Sequence, residues 1–153
     1  MAVTTLKMGS EAWWQSKKGP EWEREDNGNY RVTFWWRDPQ GTEKESAIHR
    51  VWVYITGVTD HHQNATPQSM QRIDGTNVWC WRVSLSANWR GSYCFIPTTR
   101  NDIFSSLAVG AAPDRSVLRE GWRQLLPQAI ADPLNPQSWQ GGRGHAVSRY
   151  CYD

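Results

Sequence analysis

Over the stretch Tyr30 to Trp36, Val32, Phe34 and Trp36 alternate with Arg31, Thr33 and Trp35. This is the period of two that sets every second side chain on one face of a strand. The rhythm returns from Arg50 to Ile55, where Val51, Val53 and Ile55 alternate with Trp52 and Tyr54. Both sets are apolar, so this strand is expected to be covered on both faces and to lie inside a sheet. Asn77 to Leu85 predicts a third strand, with Trp79, Trp81, Val83 and Leu85 on one face and Cys80, Arg82 and Ser84 on the other. Gly91 to Ile96 predicts a fourth. Turn signals separate them: Asp26-Asn27-Gly28-Asn29, Asp38-Pro39-Gln40-Gly41 and a polar loop from Thr56 to Pro67.

Helical periodicity is confined to the flanks. Ser10 ahead of Glu11 to Lys18, with Gly19-Pro20 behind, predicts a short capped helix carrying Trp13 and Trp14. Asp114 to Leu126 places Leu118, Trp122 and Leu125 on one helical face before Pro127 interferes, and Asn101 to Val109 predicts a further helical turn. Short strands without a βαβ rhythm point to an all-β fold, an antiparallel β-sandwich with a short N-terminal helix and one or two short helices in the last third. From Pro127 onward Pro, Gly and polar residues accumulate, ending in Gln140-Gly141-Gly142-Arg143-Gly144-His145. The expected organisation is a domain over residues 1–139 and the start of an inter-domain linker and tail over 140–153.

The totals narrow the function classes. Seventeen basic against fifteen acidic side chains leave a formal charge of +2, unlike the basic footprint of a nucleic-acid binder. No run of about twenty apolar residues is available to span a membrane, and Met1 to Met8 lacks the apolar stretch of a signal peptide. The three cysteines, Cys80, Cys94 and Cys151, show no C-x-x-C spacing and are read as reduced thiols of a cytoplasmic protein, with a bridge between Cys80 and Cys94 across neighbouring strands as the minor alternative. Eleven tryptophans are the outlier; such rings serve either as core filler or as exposed stacking platforms.

A search for chemistry finds no G-x-S-x-G turn, and Ser92 falls inside a strand pattern where that strained elbow would not form. Asp60-His61-His62 places adjacent side chains that point apart in an extended chain, a poor metal site. His49 reads as a strand-edge residue and His145 as a linker residue. What remains is arginine beside aromatic residues: Arg37 after Trp35-Trp36, Arg90 after Trp89, Arg100 beyond Tyr93 and Phe95, and Arg123 next to Trp122. Guanidinium groups pair with phenolate or carboxylate oxygens while neighbouring rings stack, which suits a planar aromatic anion. The competing reading buries the tryptophans and turns the arginines to water.

Longer runs carry a resemblance. Gly9-Ser10-Glu11-Ala12-Trp13-Trp14-Gln15, the segment Val32 to Gly41 with Trp35-Trp36-Arg37-Asp38-Pro39, the segment Arg50 to His62, Asn88-Trp89-Arg90-Gly91-Ser92-Tyr93 through Pro97, and Ala131-Asp132-Pro133 through Trp139 together resemble the amino-terminal domain of enterochelin esterases, from about Leu6 to Val147. The resemblance implies an immunoglobulin-like domain of a cytoplasmic bacterial enzyme that hydrolyses the trilactone esters of ferric enterobactin. The nucleophilic serine, its histidine and its acidic partner belong in that family to a second, α/β-hydrolase domain, and no position here receives them. The chain is therefore expected to be non-catalytic and to border the hydrolase cleft. Its tail, Arg149-Tyr150-Cys151-Tyr152-Asp153, departs from the longer linker the family would show. Side-chain chemistry nominates Trp89, Arg90 and Arg100 as substrate-binding, with Arg37 and Arg143 behind them. No metal or cofactor is expected on the protein itself, iron entering only within the ferric siderophore. The implied partners are ferric enterobactin and the hydrolase domain, with neither nucleic acid nor membrane. A Trp-rich carbohydrate-binding sandwich and an inert scaffold are the alternatives.

Overall fold

A computed structural model of the chain describes residues 6–55, 58–59, 66–86, 90–99, 104, 114–135, 138–140 and 146–151. Two antiparallel sheets face each other. The first has the order β1 (Glu21–Arg24), β2 (Tyr30–Arg37), β6 (Val78–Leu85), β5 (Gln71–Arg72). The second runs β4 (Gln68–Ser69), β3 (Arg50–Ile55), β7 (Arg90–Thr98), β9 (Ala146–Cys151), β8 (Ser138–Gln140). The alternation in the sequence decides what fills the space between: Val32, Phe34, Trp36, Trp79 and Leu85 from the first sheet meet Val51, Val53, Ile55, Tyr93 and Phe95 from the second. Each fully buried aliphatic side chain there contributes roughly 1.5–3 kcal/mol of transfer free energy.

The long strands pair along their whole length. β2 and β6 run in register from Tyr30↔Leu85 to Arg37↔Val78, and β3 and β7 from Arg50↔Thr98 to Ile55↔Tyr93. β1, which no alternation announces, is a charged edge: Glu21, Glu23 and Arg24 face water, the composition that keeps an open edge from pairing with other chains. A second device closes the opposite side. Met70, buried at 2% exposure, sends its N–H to the Val51 carbonyl at 2.7 Å, and the chain passes there from β4 in the second sheet to β5 in the first. The stretch 140–153, expected to be linker and tail, supplies β9, paired with β7 from Arg90↔Cys151 to Tyr93↔Ser148. Val147, Tyr150 and Cys151 are strand formers, whereas the glycines ahead of them dominate a composition reading.

A helix covers the outer face of each sheet. α1 (Glu11–Gln15) is capped by Ser10, whose Oγ accepts from the Trp13 N–H at 3.2 Å. It stops three residues short of the expected Lys18: the last turn tightens to i→i+3 bonds, the Trp13 carbonyl accepting the Ser16 N–H at 3.1 Å and the Ser16 hydroxyl, and the Trp14 carbonyl the Lys17 N–H. Trp13 and Trp14 pack with Trp35 and Val78 on the first sheet. α2 (Arg115–Leu125), capped by Asp114 through the Ser116 N–H at 2.9 Å, lays Leu118, Trp122 and Leu125 on Trp52, Cys94 and Ile96 of the second sheet. The expected helical turn at 101–109 lies outside the described residues except for Phe104, which packs under α2. Cys80 and Cys94 are free thiols on the outer faces of different sheets, so they cannot bridge as neighbouring strands would allow.

Candidate functional site

Packing decides which face of α2 is left for binding. With Leu118, Trp122 and Leu125 turned to the sheet, Arg115, Arg119 and Arg123, four residues apart, stack one above another on the exposed side. They border a groove of about 570 Å³ whose lining also includes Glu120, Trp122 and Leu126. Arg123 Nη1 lies 3.7 Å from Glu120 Oε2, while Arg115 and Arg119 form no ion pair among the described residues. Trp122 is 1% exposed, held edge-on to Tyr54 at 4.8 Å and Phe104 at 4.9 Å, and among the described residues its indole N–H is a buried donor without an acceptor. Such a surface can attract and orient an anion; the Ser116 hydroxyl in its lining donates to the Asp114 cap at 2.8 Å.

Of the residues nominated from the sequence, Arg37 and Arg90 fall within the described strands, toward different ends of the sandwich. Arg37 ends β2, where Nη2 holds Glu11 Oε2 at 2.7 Å and the guanidinium lies 6.0 Å from the Trp14 ring. The Arg37 hydrogen bond and its charge hold the Glu11 carboxyl below its ordinary value. Arg90 opens β7 at the other end of the sandwich. Phe34 packs on Tyr93 and Phe95, and Val51, which accepts from Met70, pairs with Pro97. Arg37 thus lies toward the Thr98 end of β7, and Thr98 is eight residues, or roughly 25 Å of strand rise, from Arg90. Trp89, Arg100 and Arg143 lie outside the described residues.

The tryptophans answer the question their number raised. Trp13, Trp14, Trp35, Trp36, Trp52, Trp79 and Trp122 are buried, which makes them core filler rather than sugar platforms. Arg115 and Arg119 have no aromatic neighbour along the chain, so adjacency does not single them out. The i, i+4, i+8 spacing that puts them beside Trp122 and Arg123 was the available signal.

Two buried carboxylates serve the fold. Asp38, at 2% exposure, accepts from Arg72, Ser46, the Gln40 N–H and the Trp79 indole. Burial alone pushes its carboxyl up; these bonds outweigh burial and hold it below the ordinary value. Asp132, at 1% exposure, accepts from the Tyr93 hydroxyl at 2.8 Å and the Leu134 N–H at 2.9 Å, and here burial prevails and raises the carboxyl. No group of three or more His, Cys, Asp or Glu side chains among the described residues is arranged to hold a metal ion, and no helix among them is long and apolar enough to cross a membrane.

Two antiparallel sheets packed face to face with a helix on each outer face define the class: an all-β sandwich domain. The chain belongs to the family described as enterochelin esterase, N-terminal, which it matches over residues 31–152. It is 73% identical over 146 residues to the iron(III) enterobactin esterase of Escherichia coli strain K12, a match covering 95% of this chain and 36% of that protein. The solved ferric enterobactin esterase of Salmonella typhimurium superposes with a TM-score of 0.89 at 76% identity, over 92% of this chain and 36% of that one. The Shigella flexneri enterobactin esterase was solved in the presence of enterobactin (TM-score 0.85, 70% identity, 95% of this chain and 36% of that one). It was also solved in the presence of 2,3-dihydroxy-N-benzoyl-serine (TM-score 0.83, 68% identity, 94% and 35%). The chain thus spans about a third of the length of the relatives it matches.

Proposed function

We propose that this chain is the non-catalytic, substrate-bordering domain of an esterase that hydrolyses ferric enterobactin in the cytoplasm. A following α/β-hydrolase domain supplies the nucleophile, and iron enters only as cargo of the siderophore. The observation that carries this reading is the 73% identity along 95% of the chain to an iron(III) enterobactin esterase. The seven buried tryptophans favour it over a carbohydrate-binding module. Trp89, Arg90, Arg100 and Arg143 are proposed to meet the anionic aromatic substrate; Arg37, paired with Glu11 and toward the other end of the sandwich, is the weaker candidate. Domain boundaries are the natural place for such a ligand, because two rigid surfaces bury more of it than one can.

The test is a graft in which this chain replaces the matching segment of the E. coli relative. A folded graft that hydrolyses ferric enterobactin with kcat/KM within about tenfold of the parent, a loss under roughly 1.4 kcal/mol of transition-state stabilisation, supports the reading. A folded graft that has lost hydrolysis altogether refutes it.

A further inference from the structure

We infer that the groove along α2 is a binding site for the catecholate anion of a 2,3-dihydroxybenzoyl group, gripped by Arg115, Arg119 and Arg123. The inference rests on the proposed function for the identity of the ligand, but it is argued from residues other than the five nominated ones. α2 concentrates charge: its eleven residues hold three arginines against one glutamate, as large a positive excess as the +2 of the whole chain. Glu120 is engaged with Arg123, so two guanidinium groups stand beside the groove without an acidic partner among the described residues. At a rise of about 1.5 Å per residue the row spans roughly 12 Å along the helix axis, with successive arginine positions about 6 Å apart. That spacing suits a ligand with oxygens at both ends of an aromatic ring. The vicinal catechol oxygens accept the paired N–H groups of one arginine, as a carboxylate does, and a serine carboxylate at the far end reaches another. Leu126 adds an apolar side chain to the lining, while Trp122, 1% exposed, backs the groove from beneath. The groove's 570 Å³ falls within the range of small-molecule sites, about 300–1,000 Å³.

The experiment is a calorimetric titration of the chain with 2,3-dihydroxy-N-benzoyl-serine at low and high salt. Three double variants accompany the wild type: R115Q/R119Q, the charge-preserving R115K/R119K, and R24Q/R82Q, which removes the same charge from exposed positions on the first sheet. All four substituted side chains face solvent, so thermal melts are expected to coincide. Loss of two charge-assisted contacts is expected to weaken binding by about tenfold or more in R115Q/R119Q. R115K/R119K is expected to retain most of the affinity, R24Q/R82Q to match the wild type, and salt to weaken the wild type more than R115Q/R119Q. Equal binding by wild type and R115Q/R119Q would overturn the groove assignment while leaving the proposed function intact. A wild type that binds nothing would overturn the ligand-bordering reading, and the groove with it.

Discussion

Replacing Arg72 by methionine tests the reasoning about what fastens the two sheets at their crossing edge. Arg72 sits on β5, and its Nη2 holds Asp38 Oδ2 at 2.5 Å. Its Nη1 donates to the Gly41 and Thr76 carbonyls, each at 3.0 Å, and the guanidinium stacks 4.8 Å from the Trp79 ring. Methionine preserves the aliphatic packing and removes every donor. Asp38 would keep Ser46, Gln40 and Trp79 but lose its countercharge at a position only 2% exposed. Removing one partner of such a pair costs about 3–5 kcal/mol, which for a domain this size lowers Tm by on the order of 10 °C. Urea melts of wild type, Arg72→Met, Asp38→Asn and the double variant should give a coupling above about 1 kcal/mol. The pH dependence has a sign. Because the Asp38 carboxyl is held below its ordinary value, its contribution is present above the unfolded carboxylate range and is lost as pH falls through the folded value. The gap between wild type and Arg72→Met should therefore narrow in acid. A loss under about 1 kcal/mol, or strictly additive variants, would refute the assignment of Arg72–Asp38 as a structural clasp.

Other predictions follow from the buried groups. Tyr93→Phe removes a hydroxyl that donates to Asp132 at 2.8 Å and accepts from Asn135 at 3.0 Å, and should cost about 1–3 kcal/mol in denaturant melts. Burial already raises the Asp132 carboxyl, so stability linked to it is full below the unfolded value and lost as pH rises through the folded one; the Tyr93→Phe deficit should be largest near neutrality and shrink in acid. Burial pushes the Cys94 thiol up to about 12, so peptide mapping after alkylation at pH 8 should find Cys94 unmodified in the folded chain and modified in urea. Trp122→Ala, emptying a 1%-exposed site between α2 and the second sheet, should destabilise by about 3–5 kcal/mol in the same melts.

How much of this was legible in the sequence follows from what each element depends on. β2, β3, β6 and β7 face a core, so hydrophobic alternation announced them, and α2 was visible because Leu118, Trp122 and Leu125 share one face. β1 is an edge whose Glu-Trp-Glu-Arg composition answers to water, and β4 and β5 are two-residue pairings set by the passage through Met70. Such elements are defined by their neighbours and carry no period of their own. β9 lies behind a glycine-rich stretch, so local composition concealed a strand whose existence depends on the open edge of β7. For the candidate site, aromatic and arginine content suggested the ligand's chemistry. The assembly of Arg115, Arg119 and Arg123 with Trp122 became clear only when the buried face of α2 fixed the exposed one.

Calorimetric titration of the purified chain with ferric enterobactin, with a neutral oligosaccharide as control and ester products followed by chromatography, addresses the central claim most directly. Saturable heat with the siderophore alone, and no hydrolysis, is the predicted result. Absence of binding to ferric enterobactin, or saturable binding of the oligosaccharide instead, would contradict it.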